Sequence, residues 1–194
     1  TLGGVALADL ARDPRIGTPS YVYDLDGIAS EARALRSAFE GVPHLVAYAV
    51  KANSAGAVVR TLRAEGCGAD VVSAAELSLA LGCGVAPDDV VYSGVAKADD
   101  EIDVALASGP RGIGAIQVES IEEIARVAAR ARAVGRKARV SLRINPAVDM
   151  DALDTHAGIA TGHDEAKFGV PREQLAEALD AAATHDAIDL VGIT

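Results

Sequence analysis

The sequence predicts an α/β protein in which parallel strands alternate with helices. Hydrophobic residues make up 50% of the 194 positions, and Ala, Val, Leu and Ile dominate them. Such a composition suits strands that are buried on both faces. Strand-like apolar runs begin about 20–25 residues apart, the length of one βα unit, except for a longer final interval. We expect strands near residues 45–50, 69–72, 90–93, 114–118, 138–144 and 188–193.

Helix-start signals lie between these runs. Two Ser-x-x-Glu pairs have the spacing of a capping box, in which the serine and the glutamate each accept a backbone N–H. Residues 99–101 are all acidic and predict the first turn of another helix, where the helix dipole favours negative charge. Pro171 is expected at the first position of the last helix. The two pairs are Ser73 with Glu76 and Ser120 with Glu123.

The composition excludes several classes of function. A formal net charge of −10 argues against a nucleic-acid binder, because no basic stripe is present to meet phosphates. No run approaches the ~20 apolar residues of a membrane span, and no signal peptide is visible, so we expect a cytoplasmic protein without membrane contact. Cys67 and Cys83 fit no metal or redox spacing, and we expect buried free thiols and no metal site.

Lys51 is the most informative single residue, because the apolar run 45–50 ends on it. An ammonium at the end of a buried strand is unfavourable unless it is paired, neutralised or converted. The side chain therefore either reaches water or performs chemistry. No Gly-x-Gly-x-x-Gly follows the first strand, which disfavours a dinucleotide fold. The residues alone leave open a doubly wound sheet or part of a (β/α)₈ barrel, which places catalytic groups at strand ends.

Three further side chains are candidates for a site. Asp70 is a carboxylate inside an apolar strand, either paired with a neighbouring cation or facing a ligand. Glu76 serves either as a helix cap or as an acid near a ligand. Arg143 ends the fifth strand, where it either pairs with an acid or holds a carboxylate or phosphate. The stretch 145–169, which includes His156 and Lys167, is long enough to predict a functional loop.

Several blocks carry a family resemblance. Tyr48-Ala49-Val50-Lys51-Ala52-Asn53 resembles the lysine signature of the alanine-racemase-fold decarboxylases that use pyridoxal 5′-phosphate, and among them it looks most like the diaminopimelate decarboxylases. The resemblance continues, in the order of the family, from residue 21 almost to the end of the chain. The further blocks are residues 69–77, 92–97, 118–120, 142–146, 155–162 and 167–169.

The resemblance implies an incomplete (β/α)₈ TIM barrel of the alanine-racemase type. Eight strands are typical of such a barrel, so the six predicted here, with the C-terminal β domain missing, imply part of a protein about twice as long. Residues 1–25, with Tyr21–Asp24 as a leading strand, would belong to the β domain. Residues 26–194 would form the truncated cofactor-binding barrel.

The resemblance also implies roles for these residues. Lys51 would hold the cofactor as a Schiff base and then move protons. Asp70, Glu76 and Arg143 would lie near the cofactor. The loop with His156 would approach the active site without a fixed role for that histidine.

The activity expected from the resemblance is decarboxylation of meso-2,6-diaminopimelate to L-lysine and carbon dioxide, the last step of lysine biosynthesis. The full-length enzyme would be a homodimer with shared active sites, and the chain alone would be inactive. Alternatives are a decarboxylase or racemase acting on ornithine, arginine or a D-amino acid. A non-catalytic barrel protein that binds pyridoxal phosphate is a third alternative.

Overall fold

A computed structural model describes residues 1–146 and 168–194. Its main feature is a six-stranded parallel sheet, accompanied by a small two-stranded sheet. The six strands predicted for this sheet all form, within two residues of their expected ends. In chain order the strands are β1 Ala47–Ala49, β2 Gly68–Val71, β3 Val90–Tyr92, β4 Ala115–Val118, β5 Ala138–Leu142, β6 Ile144–Asn145, β7 Val170–Pro171 and β8 Ile188–Ile193.

Helices connect successive strands of the large sheet. No helix among the described residues is long and apolar enough to cross a bilayer. The α-helices are α1 Leu7–Arg12, α2 Leu25–Ala38, α3 Gly56–Ala64, α4 Ala74–Gly82, α5 Asp99–Ala107, α6 Ile121–Ala133 and α7 Leu175–Thr184.

The strand order distinguishes a barrel from a doubly wound sheet. The large sheet runs β1-β2-β3-β4-β5-β8, so its order in space follows the order in the chain without a reversal. Right-handed crossovers that all advance in one direction place their helices on one face of the sheet. A doubly wound sheet instead reverses direction at a switch point. The winding is therefore that of a barrel, as expected, and β1 and β8 form the two outer strands of the described sheet.

The core lies between the sheet and its helices. Each of the helices α4, α5 and α6 buries at least one large side chain against the strands, and burial of such a side chain contributes about 1.5–3 kcal/mol. The strands contribute valines and leucines at alternate positions, as the pleat requires. Fully buried members of this core include Val71, Leu77, Ile102, Val118, Ile124 and Leu142.

The two predicted capping boxes form in an altered way. Each serine accepts the expected backbone N–H, at 3.2 Å in both cases. Each glutamate reaches one residue further back than a capping box requires: Glu76 accepts the N–H of Val72 at 2.9 Å, and Glu123 accepts that of Glu119 at 2.8 Å. The carboxylate thereby ties the residue that follows a strand to the next helix, which closes a short βα turn.

Two local expectations are wrong in detail. Pro171 does not begin an α-helix: it ends β7, a 3₁₀ turn follows at Arg172–Gln174, and α7 begins at Leu175. The pairing of β7 with β6 holds this proline in an extended conformation. Residues 21–24 form no strand in the described structure, and Asp24 instead caps α2. The assignment of residues 1–25 to a separate β domain remains a prediction.

Cys67 and Cys83 are buried and free, as expected. Burial raises the pKa of the Cys67 thiol, since the charged thiolate is poorly solvated there. A thiol with a raised pKa is a weak nucleophile. This cysteine therefore acts as a small apolar side chain of the core.

Candidate active site

A cavity of about 640 Å³ opens at the carboxyl-terminal edge of the large sheet. Each strand of that sheet brings a side chain to it, either from within the strand or from the residues that follow it. This is the edge at which barrels place their catalytic groups. The polar side chains that line it are Lys51, Asp70, Ser93, Gln117, Arg143 and Thr194.

A second cavity of about 810 Å³ lies between α2 and β1. Its walls are mostly apolar, with Ile28, Leu35, Val46 and Val58 among them. Lys51 and Asp70 do not line it. Its size therefore does not make it the better candidate for chemistry, which needs convergent polar groups.

Lys51 lies in a single 3₁₀ turn, Val50–Ala52, immediately after β1. The turn is held by its neighbours: Val50 is fully buried, and the Tyr48 hydroxyl donates to the carbonyl of Asn53 at 3.1 Å. Burial raises the pKa of that tyrosine, so it stays a neutral donor. Because β1 is an outer strand, its residues are half-buried and Lys51 itself is exposed. The expectation that Lys51 ends a fully buried strand is therefore wrong.

Asp70 lies on β2, next to β1. A residue just after the end of β3 forms a hydrogen bond with its carboxylate. The Ser93 hydroxyl donates to Asp70 Oδ1. Asp70 is paired in register with Ala49, two residues before the lysine. The sheet thus brings Asp70 and Lys51 to the same cavity, and Ser93 fixes the carboxylate.

Ser93 and Gln117 are site residues that the sequence reasoning did not single out. Gln117 interrupts an apolar strand, which is the same signal that marked Asp70. Ser93 directly follows β3, where the carboxyl ends of parallel strands meet. Both signals were present in the sequence, but neither residue type is by itself indicative of chemistry.

Glu76 lies outside the cavity lining. It sits in the first turn of α4, where its Oε2 accepts the N–H of Val72 and its own N–H is donated to Ser73. The structure therefore places Glu76 in its helix-capping role, and a role toward a cofactor remains a prediction.

Arg143 lies between β5 and β6 and lines the same cavity as Lys51. Its Nη1 donates to Glu119 Oε1 at 2.9 Å, and its guanidinium carbon lies 4.9 Å from the centroid of the Phe168 ring. Arg143 therefore pairs with an acid and also lines the cavity, and its expected role in holding a carboxylate or phosphate remains a prediction. A guanidinium held in this way keeps further N–H donors for an anionic ligand.

The sequence reasoning missed a buried ion pair between Lys97 and Glu123. Lys97 is 1% exposed, and its Nζ donates to Glu123 Oε1 at 3.0 Å and to the carbonyl oxygen of Gln117. A buried ammonium requires such partners. The signal available in the sequence was a lysine just after β3, but its acidic partner is 26 residues away.

Two candidates from the long loop lie outside the described residues, namely His156 and Lys167. Among the residues that the structure does describe, no group of three or more His, Cys, Asp or Glu side chains is arranged to hold a metal ion. The described cavity therefore offers one amine, one carboxylate, one guanidinium and neutral polar groups. This set can bind an aldehyde covalently and hold anionic groups beside it.

The chain is similar to proteins of known activity over nearly all of its length. Diaminopimelate decarboxylases from Zymomonas mobilis and Pseudomonas aeruginosa are each 42% identical to it, over 91% and 98% of this chain. The crystal structure of the Helicobacter pylori diaminopimelate decarboxylase with L-lysine superposes with a TM-score of 0.87, at 35% identity and over 97% of this chain. The chain spans 41%, 44% and 46% of these three proteins.

A family model covers most of the chain as well. It describes the pyridoxal-binding domain of pyridoxal-dependent decarboxylases and matches residues 25–194, which include the whole large sheet and every polar residue of the cavity. The chain therefore belongs to the pyridoxal-dependent decarboxylases and carries their pyridoxal-binding domain.

Proposed function

We propose that the cavity is the pyridoxal phosphate site of an amino-acid decarboxylase that converts meso-2,6-diaminopimelate to L-lysine and carbon dioxide. One observation carries the proposal: Lys51, Asp70 and Arg143 come from three different strands and meet at one cavity. The parallel sheet brings the strand ends together, but it does not require an amine, a carboxylate and a guanidinium at those ends, and such a set of convergent charged groups in one cavity supports a ligand site.

The residues present fit this cofactor. An aldehyde needs an accessible amine, and Lys51 is exposed at the rim of the cavity. Anionic groups need a fixed cation, and Arg143 supplies one. The volume of about 640 Å³ lies in the usual range for small-molecule and cofactor sites.

Lys51 is the proposed catalytic residue. Its Nζ would attach covalently to the aldehyde carbon of the cofactor, and water would leave. Once the amine of the substrate has taken that position, the same Nζ would be free to carry a proton to and from the substrate. The bound cofactor supplies an electron sink for the pair left when carbon dioxide departs.

Asp70 and Arg143 would act by charge. The Asp70 carboxylate, held by Ser93, stabilises a positive nitrogen in the cavity. The Arg143 guanidinium orients a carboxylate or phosphate. Glu76 would act indirectly, because its carboxylate fixes the turn that follows Asp70.

The substrate proposal rests on the relatives, which are named for diaminopimelate. An enzyme built for this substrate has polar groups for its distal amino-acid head, and these would be left unpaired by a ligand that lacks the head. We expect release of carbon dioxide from meso-diaminopimelate, and little from ornithine, arginine or L,L-diaminopimelate. Comparable rates on ornithine or arginine would contradict the substrate and leave the cofactor proposal intact.

The first prediction tests Lys51 directly. The gene product that contains this chain is incubated with pyridoxal phosphate, reduced with borohydride and mapped by peptide mass spectrometry. We expect the reduced label on Lys51. Lys51→Ala should abolish the label and lower turnover by several orders of magnitude, since both attachment and proton transfer are lost.

Lys137→Ala is the matched control, because Lys137 is also exposed but lies away from the cavity lining. It should keep both label and turnover. Label that persists elsewhere in Lys51→Ala protein, with turnover unchanged, would show that Lys51 is not the attachment site.

Assembly and location are proposed on the same basis. We propose a cytoplasmic homodimer whose active sites are shared between subunits. Mixing Lys51→Ala protein with a second inactive variant tests the sharing, because a shared site restores activity in part of the mixed dimers. No recovery after subunit exchange would indicate sites contained within one subunit.

A further inference from the structure

Glu119 uses both of its carboxylate oxygens to join Arg143, which lines the cavity, to the segment that precedes β7. Its Oε1 accepts from Arg143 at 2.9 Å, and its Oε2 accepts the backbone N–H of Gly169 at 3.0 Å. Its side chain is only 10% exposed. A carboxylate that is largely removed from water requires such donors. Side-chain conformations of Glu119 that lose them are therefore unfavourable.

These contacts come from three elements that are distant in the chain. Glu119 follows β4, Arg143 follows β5, and Gly169 precedes β7. Phe168 covers the guanidinium from the same segment as Gly169. The set of Glu119, Arg143 and Gly169 is termed here the Glu119 bridge. The guanidinium of Arg143 is contacted by Glu119 of this bridge and by the ring of Phe168.

The backbone of Glu119 is itself held from below. Its N–H is donated to Glu123 Oε2 at 2.8 Å, and the other oxygen of that glutamate accepts from buried Lys97 at 3.0 Å. The Glu119 bridge is thus connected, through Glu123, to the buried ion pair of Lys97 and Glu123. A cation held through a continuous chain of polar contacts loses little freedom when a ligand arrives.

We propose that Glu119 is a positioning residue that holds Arg143 ready to bind an oxyanion, a phosphate or a carboxylate, in the cavity. The inference rests on the proposed function, because it assumes that the cavity binds the cofactor and an amino acid. Lys51 attaches the cofactor, whereas the Glu119 bridge determines how tightly one anionic group is held.

Gly169 offers a second way to disturb the same bridge. Its φ of +83° favours glycine, and an added Cβ would lie 2.9 Å from the backbone nitrogen of Asn145. A side chain there must shift the segment relative to residues 143–145, since Cβ atoms do not approach backbone so closely, and such a shift disturbs the hydrogen bond from Gly169 to Glu119. Gly169→Ala should therefore act in the same direction as a change at Glu119.

The test compares two cofactor affinities and the steady-state kinetics of the gene product that contains this chain. Glu119→Gln keeps the size and an acceptor for Gly169 but removes the charge that fixes Arg143. We measure the affinities for pyridoxal phosphate and for pyridoxal, which lacks the phosphate, and KM with kcat for the amino-acid substrate. Loss of one preorganised side chain predicts about a three- to tenfold change.

Weaker binding of pyridoxal phosphate with unchanged binding of pyridoxal would support the proposal and identify phosphate as the anion. Unchanged cofactor affinity with a raised KM and a retained kcat would support it and identify a substrate carboxylate. Glu119→Asp, which keeps the charge on a shorter arm, should recover part of the loss, and Gly169→Ala should reproduce it.

Glu101→Gln is the matched control, because both oxygens of Glu101 also accept a hydrogen bond, but its donors, Ala74 and Ala98, do not line the cavity, whereas Arg143 does. If Glu119→Gln and Glu101→Gln behave alike in all three measurements, or if pyridoxal loses as much affinity as pyridoxal phosphate, the positioning role is overturned. Borohydride labelling of Lys51 separates the two claims. Without label in the unmodified protein the proposed function fails, and with label but no difference between the variants only this inference fails.

Discussion

The two cations of the cavity are held in opposite ways. Lys51 is exposed in a short turn after an outer strand, and no ion pair joins it to another residue within residues 1–146 and 168–194. Arg143 is 27% exposed, bonded to Glu119 and covered by Phe168. The sequence reasoning treated both as strand-terminal cations, yet only one of them is fixed by its neighbours.

The difference agrees with the role proposed for each group. A residue that attaches to a cofactor and later moves protons must be free to leave its position, so fixed partners would hinder it. A residue that holds an anion gains by being fixed before the anion arrives. The turn after β1 therefore positions only the backbone of Lys51, whereas the rim around β4 and β5 positions the side chain of Arg143.

Among the variants that test this difference between Lys51 and Arg143, Lys97→Met is expected to have the largest effect on the free energy of unfolding. The substitution leaves Glu123 without its buried cation, and breaking a buried pair from one side costs about 3–5 kcal/mol. The free energy of unfolding should fall by that amount in urea denaturation. Under conditions where the variant is folded, Lys51 should still be labelled, because the turn after β1 does not contact Lys97.

Lys137→Met is the control for Lys97→Met, since an exposed lysine without a buried partner should change stability by less than about 0.5 kcal/mol. Equal free energies of unfolding for the two variants would mean that the ion pair of Lys97 and Glu123 does not stabilise the fold. Loss of labelling in folded Lys97→Met protein would contradict the separation of the two cations.

The strands were predictable because a buried parallel strand has a strong and simple signal. Apolar runs such as 114–118 are limited by glycine and polar residues, and β4 formed within one residue of its expected start. Pro171 shows where such reasoning ends. Its preference for a first helical position was overridden by the pairing of β7 with β6, a contact between residues about 25 positions apart that local sequence does not encode.

The charged residues that line the cavity could be predicted from the sequence, but their partners could not, and Glu76, which was also expected near a ligand, lies outside the lining. Lys51, Asp70 and Arg143 were identified because charge within or at the end of an apolar strand is unusual. Ser93 and Glu119 act through contacts with other strands, and the sequence contains no pattern that pairs Glu119 with Gly169, 50 residues away. The exposure of Lys51 was also missed, because β1 reads as a buried strand but lies at an edge of the described sheet.

An effect of intermediate size is expected from Ser93→Ala, which tests the part of the cavity that contains Asp70 and Lys51. It removes the hydroxyl that donates to Asp70, and loss of one hydrogen bond to a charged group costs about 1.5–3 kcal/mol at most. We expect a decrease in kcat/KM of about tenfold, with Lys51 still labelled. Ser78→Ala is the control, because Ser78 is an exposed serine on α4. Equal kcat/KM for both variants would show that Asp70 does not depend on Ser93.

The smallest effect is expected from Glu101→Gln, and it depends on pH. The backbone N–H groups of Ala74 and Ala98 lower the pKa of Glu101 from its usual 4.5. Because the pKa is lower in the folded protein, the ionised carboxylate stabilises the fold above about pH 4.5, and this contribution disappears as the pH falls through the folded value.

The difference in unfolding free energy between the unmodified protein and Glu101→Gln should therefore be constant between about pH 6 and 8 and shrink below about pH 4.5. Urea denaturation at several pH values measures it. Cofactor affinity near pH 7 should stay unchanged, unlike that of Glu119→Gln, because Glu101 joins the starts of α4 and α5 and not the cavity rim. A difference that grows on acidification would mean that the carboxylate is not stabilised by these two N–H groups. The two carboxylates then share a type of contact but differ in consequence: one holds helices together, and the other holds a cation at the site.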